Sequence, residues 1–100
     1  AELSYRKAIE IKPDFAEAHA NLGNILKDLG KSKEAELSYQ KAIEIKPDFA
    51  EAYYLTSLIF SKSKKYKEAL FQIDEALKHD PNNHLYQGEK KRIELLLSLD

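Results

Sequence analysis

The sequence predicts an all-α solenoid, a chain of stacked helical repeats that share one continuous core. Residues 1–18 read AELSYRKAIEIKPDFAEA and return at 35–52, so the period is 34 residues and only Arg6 against Gln40 differs. Apolar residues recur at the spacing of one helix face, and no stretch alternates as a strand would. Repeats of this length stack on their neighbours because one unit cannot bury its apolar face alone.

Each period contains two helical segments. In the first complete period, apolar residues lie four, seven and eight positions after Ala18, at Leu22, Ile25 and Leu26. The predicted helices are 2–11, 16–29, 33–45, 50–63, 67–79 and 84–98. Small residues inside the apolar faces let neighbouring helices approach closely. These residues are Gly23, Ala35, Ala42, Ser57, Ala69 and Ala76.

Capping and turn residues mark the helix ends. Asp48 and Glu51 have the spacing of a capping box, as do Asp14 and Glu17, which predicts that each Asp accepts amide protons of the first turn. A proline precedes each first helix of a pair and bars the previous helix from continuing. These prolines are Pro13, Pro47 and Pro81.

The turn inside each pair differs between the two complete repeats. Gly30 ends the first long helix at a position suited to a left-handed backbone. The next repeat has Lys64 there, which predicts either strain or another turn geometry.

The period divides the chain into four parts. Residues 1–15 are the second helix of a truncated repeat, 16–49 and 50–83 are complete repeats, and 84–100 form a closing helix. The chain starts within a repeat and has no Met, so we expect it to be a piece of a longer protein, where a targeting segment can lie upstream.

The composition excludes several classes of function. The chain is 43% hydrophobic and 33% charged with a net charge of -1, which argues for a folded domain and against nucleic acid or an anionic membrane as partner. No apolar run reaches the roughly 18 residues of a membrane span. The absence of Cys excludes disulfides and leaves the compartment open, with the cytoplasm favoured.

The pattern resembles the tetratricopeptide repeat (TPR) family over residues 1–83. The helix His19-x2-Leu22-Gly23-x2-Leu26 resembles the family's aromatic-x2-L-G-x2-Y helix, and Thr56 replaces the usual Leu in the next unit. The further matches are Ala35, Tyr39, Ala42 and Pro47, then Tyr53, Ser57, Phe60, Ala69, Ile73, Ala76 and Pro81. Residues 84–100 depart from the motif and resemble the family's closing helix. Their expected apolar face consists of Leu85, Ile93, Leu96 and Leu97.

The resemblance implies a right-handed superhelix of antiparallel helix pairs. In the family, the first helix of each pair lines a concave groove that holds peptides or partner proteins. In the first complete unit the groove positions are Glu17, Ala20, Asn21, Asn24, Lys27 and Asp28. In the second they are Glu51, Tyr54, Leu55, Leu58, Ser61 and Lys62.

Two groups of groove residues are candidates for binding. Asn21 and Asn24 are suited to an extended peptide backbone because an amide side chain both donates and accepts, and a solvated polar face is the alternative. Tyr54, Leu55 and Leu58 form an apolar patch, which is either a contact surface or a surface covered by the closing helix.

One subclass of the family binds the C-terminal carboxylate of a chaperone through Lys, Asn and Arg side chains. Asn24 fits one of these positions. However, Ala20 stands where a Lys is expected, and Leu55 stands where an Asn is expected. The sequence therefore argues against this activity.

No motif indicates a catalytic, metal or cofactor site. His19, His79 and His84 lack the i, i+4 pairing of a helical metal site, so we expect structural roles for them. The sequence has neither a Gly-rich phosphate loop nor a nucleophile elbow. We expect the charged run 89–94 to be the solvated side of the closing helix, with a basic hook for an acidic partner as the alternative.

The leading prediction is a protein-interaction module without chemistry of its own, whose partner is a protein or peptide. A structural spacer or homo-oligomerisation element is the alternative, because helix 2–11 has an apolar face without a preceding helix. That face consists of Leu3, Tyr5, Ala8 and Ile9. A third hypothesis is a substrate-presenting segment of a larger glycosyl- or sulfotransferase, since uniform TPR arrays resemble those joined to such domains.

Overall fold

The computed structural model describes residues 15–99, and every secondary-structure element in that part is an α-helix. The five helices are α1 Ala16–Asp28, α2 Ser32–Ile45, α3 Ala50–Lys62, α4 Tyr66–His79 and α5 His84–Ser98. Each end agrees with its prediction to within one residue. The chain divides into two compact units between Asp48 and Phe49. The predicted helix 2–11 lies outside the described residues.

The first unit is the antiparallel pair of α1 and α2. Its core forms because α2 buries small side chains on both sides of a large one: Ala35, Tyr39 and Ala42 are fully buried. The opposing face of α1 contributes Leu22 and Leu26. Alternating small and large residues lets two helices interdigitate at close distance. The predicted role of the small residues is therefore confirmed in this unit.

The second unit contains three helices, in which α3 packs on α4 and α4 packs on α5. Ala69, Ile73 and Ala76 repeat the small-large-small pattern on α4 and are fully buried. They form one hydrophobic cluster with Tyr86 and Ile93 of α5. The closing helix is therefore part of the hydrophobic core of this unit.

The turns that follow α1 and α3 have the same hydrogen bonds. The amide of Gly30 donates to the Lys27 carbonyl at 3.0 Å, and the amide of Lys31 donates to the Leu26 carbonyl at 2.8 Å. Lys64 and Lys65 repeat both bonds after α3, at 3.0 and 2.8 Å. These are the two bonds of a Schellman motif, which needs one left-handed residue.

Gly30 has a φ of +81° and Lys64 a φ of +62°. The second turn therefore keeps the geometry of the first and places a lysine in a conformation that favours glycine. Of the two alternatives that the sequence left open at Lys64, the structure has the strained one.

The residues that cap α1 and α3 differ from the prediction. Phe15 and Phe49 occupy the N-cap positions of α1 and α3, and a phenylalanine side chain cannot cap. Asp48 lies one residue before the cap, so the expected capping box with Glu51 is not formed. The sequence spacing was right for a helix start but wrong by one residue for the cap. Asn83 is a true cap, since its Oδ1 accepts from the Tyr86 amide at 3.1 Å.

Candidate functional site

The exposed face of α1 carries most of the predicted binding residues of the first complete repeat. Glu17, Asn21 and Asp28 are exposed, and Asn24 and Lys27 are half-buried. Ala20 is buried and contributes to the core. The first unit therefore presents two amides and three charged groups on the outer side of one helix.

Asn24 is held in place by the second helix of its own pair. The hydroxyl of Tyr39 donates a hydrogen bond to Asn24 Oδ1. The Tyr39 ring reaches this position by passing over Gly23, where an added Cβ would lie 2.6 Å from Tyr39 Cε1 and 2.8 Å from Cδ1. These distances are shorter than any ordinary carbon contact, so the ring position requires glycine at residue 23.

The predicted apolar patch on α3 is largely used inside the second unit. The Tyr54 ring packs against Tyr86 of α5 with centroids 4.9 Å apart, an aromatic contact at a favourable distance. Leu55 is buried, and Leu58 is half-buried. Burial and then the nearby Glu89 carboxylate raise the pKa of Tyr54. The closing helix therefore covers part of this face, which was the alternative to a binding role.

Ser61, at the C-terminal end of the same face of α3, also contacts α5. Arg92 Nη2 donates to Ser61 Oγ at 2.6 Å, across 31 residues of sequence. The guanidinium also donates to both oxygens of Glu89, at 2.9 and 2.7 Å, and this bonding raises the pKa of Arg92. This bidentate contact fixes the orientation of the Arg92 guanidinium and the Glu89 carboxylate. Of the groove positions predicted on α3, Glu51 and Lys62 are the two that stay exposed.

The charged run 89–94 is solvated in part, as the sequence predicted, since Lys91, Arg92 and Glu94 are exposed, but Glu89 and Lys90 are not. Glu89 is buried to 9% exposure despite its charge, because Arg92 pairs with it. Lys90 Nζ lies 2.8 Å from Asp74 Oδ1 of α4, and the hydrogen bond raises the pKa of Lys90. Three of these charged side chains therefore connect α5 to itself and to its neighbours.

The apolar face of α5 was also assigned wrongly at one end. Leu85 is 61% exposed, whereas the adjacent Tyr86 is buried. Counting back from the fully buried Ile93 by four and seven residues reaches Glu89 and Tyr86. That helical spacing was available in the sequence, but a charged residue in the middle concealed it.

Two of the three histidines pack inside their own unit. His79 stacks on Tyr53 with ring centroids 5.9 Å apart, and His19 is buried in the first unit. In the described residues, no group of three or more metal-ligating side chains comes together. None of the helices between 15 and 99 is long and apolar enough to cross a membrane.

The predicted self-association face lies outside the described residues. Its residues are Leu3, Tyr5, Ala8 and Ile9. Homo-oligomerisation through them stays a prediction. Light scattering of the whole chain and of a Leu3→Asp, Ile9→Asp variant would test it, and a monomer at high concentration in both samples would contradict it.

Comparisons with known proteins agree with this architecture. The Tetratricopeptide repeat family models match residues 16–49 and 50–83. YrrB, described as a TPR protein with an unusual peptide-binding site, is 26% identical with a TM-score of 0.92 over 98% of this chain and 50% of its own. The chain therefore spans about half the length of YrrB.

Two further structures have the same fold. The Arabidopsis OM64 TPR domain is 26% identical with a TM-score of 0.88, covering 93% of this chain and 77% of its own. The first TPR of Spaghetti (RPAP3), bound to an HSP90 peptide, is 22% identical with a TM-score of 0.89, covering 94% and 75%. No curated protein sequence matches the chain. With two consecutive family matches and this fold, the chain belongs to the tetratricopeptide repeat family.

Proposed function

We propose that this chain is a protein-interaction module that binds a peptide or protein segment on the exposed face of α1, and that it has no chemistry of its own. That face consists of Glu17, Asn21, Asn24, Lys27 and Asp28. The TPR family generally acts in protein interaction, and the peptide-binding site described for YrrB supports a peptide as the partner.

The observation that carries the proposal is the pair of amides Asn21 and Asn24 on α1, which lies outside the copied block. The copied residues include the buried scaffold, such as Ala35, Tyr39 and Ala42. The two complete repeats differ along both helices, and on the first helix Asn21 and Asn24 correspond to Leu55 and Leu58. Asn21 is exposed and Asn24 is half-buried, and Asn is a mediocre helix former, so two amides on this face favour a role in contacts.

The second unit does not offer an equivalent face. Tyr54 and Ser61 contact α5, and Leu55 is buried. Binding on this part of α3 requires those contacts to break. We therefore place the main contribution on α1, with Lys27 attracting acidic groups of the partner.

A peptide selection tests the proposal. A random peptide library is selected on the wild-type chain, and the affinity of the best peptide is measured by calorimetry. We expect Asn21→Ala, Asn24→Ala to weaken binding by about tenfold or more, the loss of two hydrogen bonds. The matched control is Leu37→Ala, Gln40→Ala, two exposed changes on α2 that should leave affinity unchanged. Undiminished affinity in the double Asn variant would overturn the proposal.

A further inference from the structure

We propose that Tyr39 is a positioning residue that fixes the side-chain amide of Asn24, so that α1 presents N–H donors outward and selects an acceptor oxygen of its partner. The inference rests on the proposed function and deepens it. The sequence alone suggested that the Asn24 amide both donates to a partner and accepts from it. With its oxygen bonded to Tyr39, the amide only donates to a partner.

The hydrogen bond determines which way the amide faces. Tyr39 is fully buried, and its hydroxyl donates to Asn24 Oδ1. Because the amide group is planar, Nδ2 then lies on the opposite side of the Cβ–Cγ axis, away from the phenol. Across residues 15–99, no side chain or carbonyl accepts a hydrogen bond from Asn24 Nδ2. Its two protons are available to a partner.

The phenol itself has little freedom to move. The Tyr39 ring lies against Gly23, with Cε1 2.6 Å and Cζ 3.0 Å from the position of an added Cβ. The ring fills the space that a side chain at residue 23 would take, and because Tyr39 is fully buried it has little room to turn. The hydroxyl therefore provides a fixed reference for the amide next to it.

The second complete repeat serves as an internal comparison. Where the first has Gly23, Asn24 and Tyr39, the second has Ser57, Leu58 and Ile73 at the same register. All three members change together: the amide, the phenol that holds it and the glycine that admits the phenol. Neither Leu58 nor Ile73 has a polar group, so the second unit lacks the hydrogen bond that orients Asn24 in the first.

A donor-only amide limits the chemistry of the partner. The group that it takes is an oxygen with a lone pair, either a backbone carbonyl or a carboxylate. Asn24→Asp tests this because it keeps the shape and still accepts from the Tyr39 hydroxyl, but it presents an acceptor outward. Gln40→Glu, which makes the same amide-to-acid change on the exposed side of α2, controls for the added charge.

The orientation can be measured without any ligand. In the labelled wild-type chain, we expect no strong nuclear Overhauser effect between the Asn24 Nδ2 protons and the Tyr39 Hε protons. A strong effect would mean that Nδ2 faces the phenol, and it would overturn the inference. The result decides the orientation of the amide and does not test whether the chain binds a peptide.

The binding arm uses the selected peptide described above. We expect Asn24→Asp to weaken its binding by roughly tenfold or more and Tyr39→Phe by about threefold, the range for one neutral hydrogen bond. Gln40→Glu should bind as the wild type does. Repeating the titration with an amidated C terminus and neutralised acidic side chains separates a carboxylate from a backbone carbonyl as the bound group.

A double-mutant cycle separates positioning from general structure. In an Asn24→Leu background, Tyr39→Phe should cause no further loss of affinity. An equal loss in both backgrounds would overturn the positioning role, as would unchanged or tighter binding in Asn24→Asp. Tyr66→Phe, a phenol removed from the second unit, is the matched control. If the library yields no binding peptide, the proposed function fails and the Overhauser measurement decides the orientation by itself.

Discussion

At the scale of single residues, glycine determines the packing of the first helix pair. Gly23 is not needed for backbone conformation, since it lies inside α1 and carries no positive φ. It is needed for space, because the Tyr39 ring occupies the volume of its missing Cβ. Gly88, by contrast, lies inside α5 with no heavy atom within 4 Å of an added Cβ. The two glycines therefore have opposite consequences for stability.

Gly23→Ala should lower the free energy of unfolding by about 1–3 kcal/mol, because the ring must shift or the helices must separate. Gly88→Ala should raise it by about 0.5–1 kcal/mol, since alanine is the better helix former in open space. Urea unfolding followed by circular dichroism compares both variants with the wild type. Equal effects of the same sign would refute the packing account of Gly23.

At the scale of elements, the turn after α3 uses a backbone conformation that lysine disfavours. Lys64→Gly should raise the free energy of unfolding by about 1 kcal/mol, because the left-handed conformation no longer clashes with a Cβ. Gly30→Ala, at the same position of the first turn, should lower it by a similar amount. Thermal unfolding of the two variants shows whether each is more or less stable than the wild type. A destabilised Lys64→Gly would show that the Lys64 side chain compensates for the strain.

The closing helix is attached to its unit by polar contacts as well as by its core residues. Glu89→Ala should lower the free energy of unfolding by about 1–2 kcal/mol, because Arg92 loses the carboxylate that orients it toward Ser61. Glu94→Ala changes an exposed charge on the same helix and should stay within about 0.5 kcal/mol of the wild type. Hydrogen exchange of the α5 backbone amides measures the effect of each substitution. Equal protection in the two variants would contradict this role of Glu89.

At the scale of the whole molecule, stability should fall at alkaline pH. Burial raises the pKa of Tyr53, Tyr54 and Tyr86, and the bond to Asp74 raises that of Lys90. A raised folded-state pKa means that the folded chain holds its protons longer. Stability from these groups is therefore complete below their unfolded values, near pH 10 for Tyr, and is lost as the pH rises through the folded values.

Urea midpoints at pH 8, 10 and 11 measure this loss, and tyrosinate absorbance follows the ionisation. Tyr54→Phe should make the fall less steep. Tyr66→Phe, which removes a phenol at the start of α4, is the control. A midpoint that stays constant up to pH 11 would contradict the linkage.

The limits of prediction from the sequence also appear at this scale. Each 34-residue period contains local signals for helix ends and helix contacts, so the helices of residues 15–99 could be located to within one residue. The contacts of the closing helix could not, because Arg92 and Ser61 are 31 residues apart and neither belongs to a local pattern. The same limit applies to the candidate site. The sequence offered Asn21 and Asn24 as candidates, whereas the bond from Tyr39 to Asn24 is seen only in the structure.

Chemical-shift mapping tests the central claim, that a partner binds on the exposed face of α1. The selected peptide is titrated into the labelled chain, and backbone and side-chain amide signals are followed. We predict that the largest changes fall on Asn21, Asn24 and Lys27, including the side-chain amide protons of Asn24. Changes concentrated instead on the exposed apolar residues Phe71, Leu85 and Leu95, with α1 unperturbed, would contradict it.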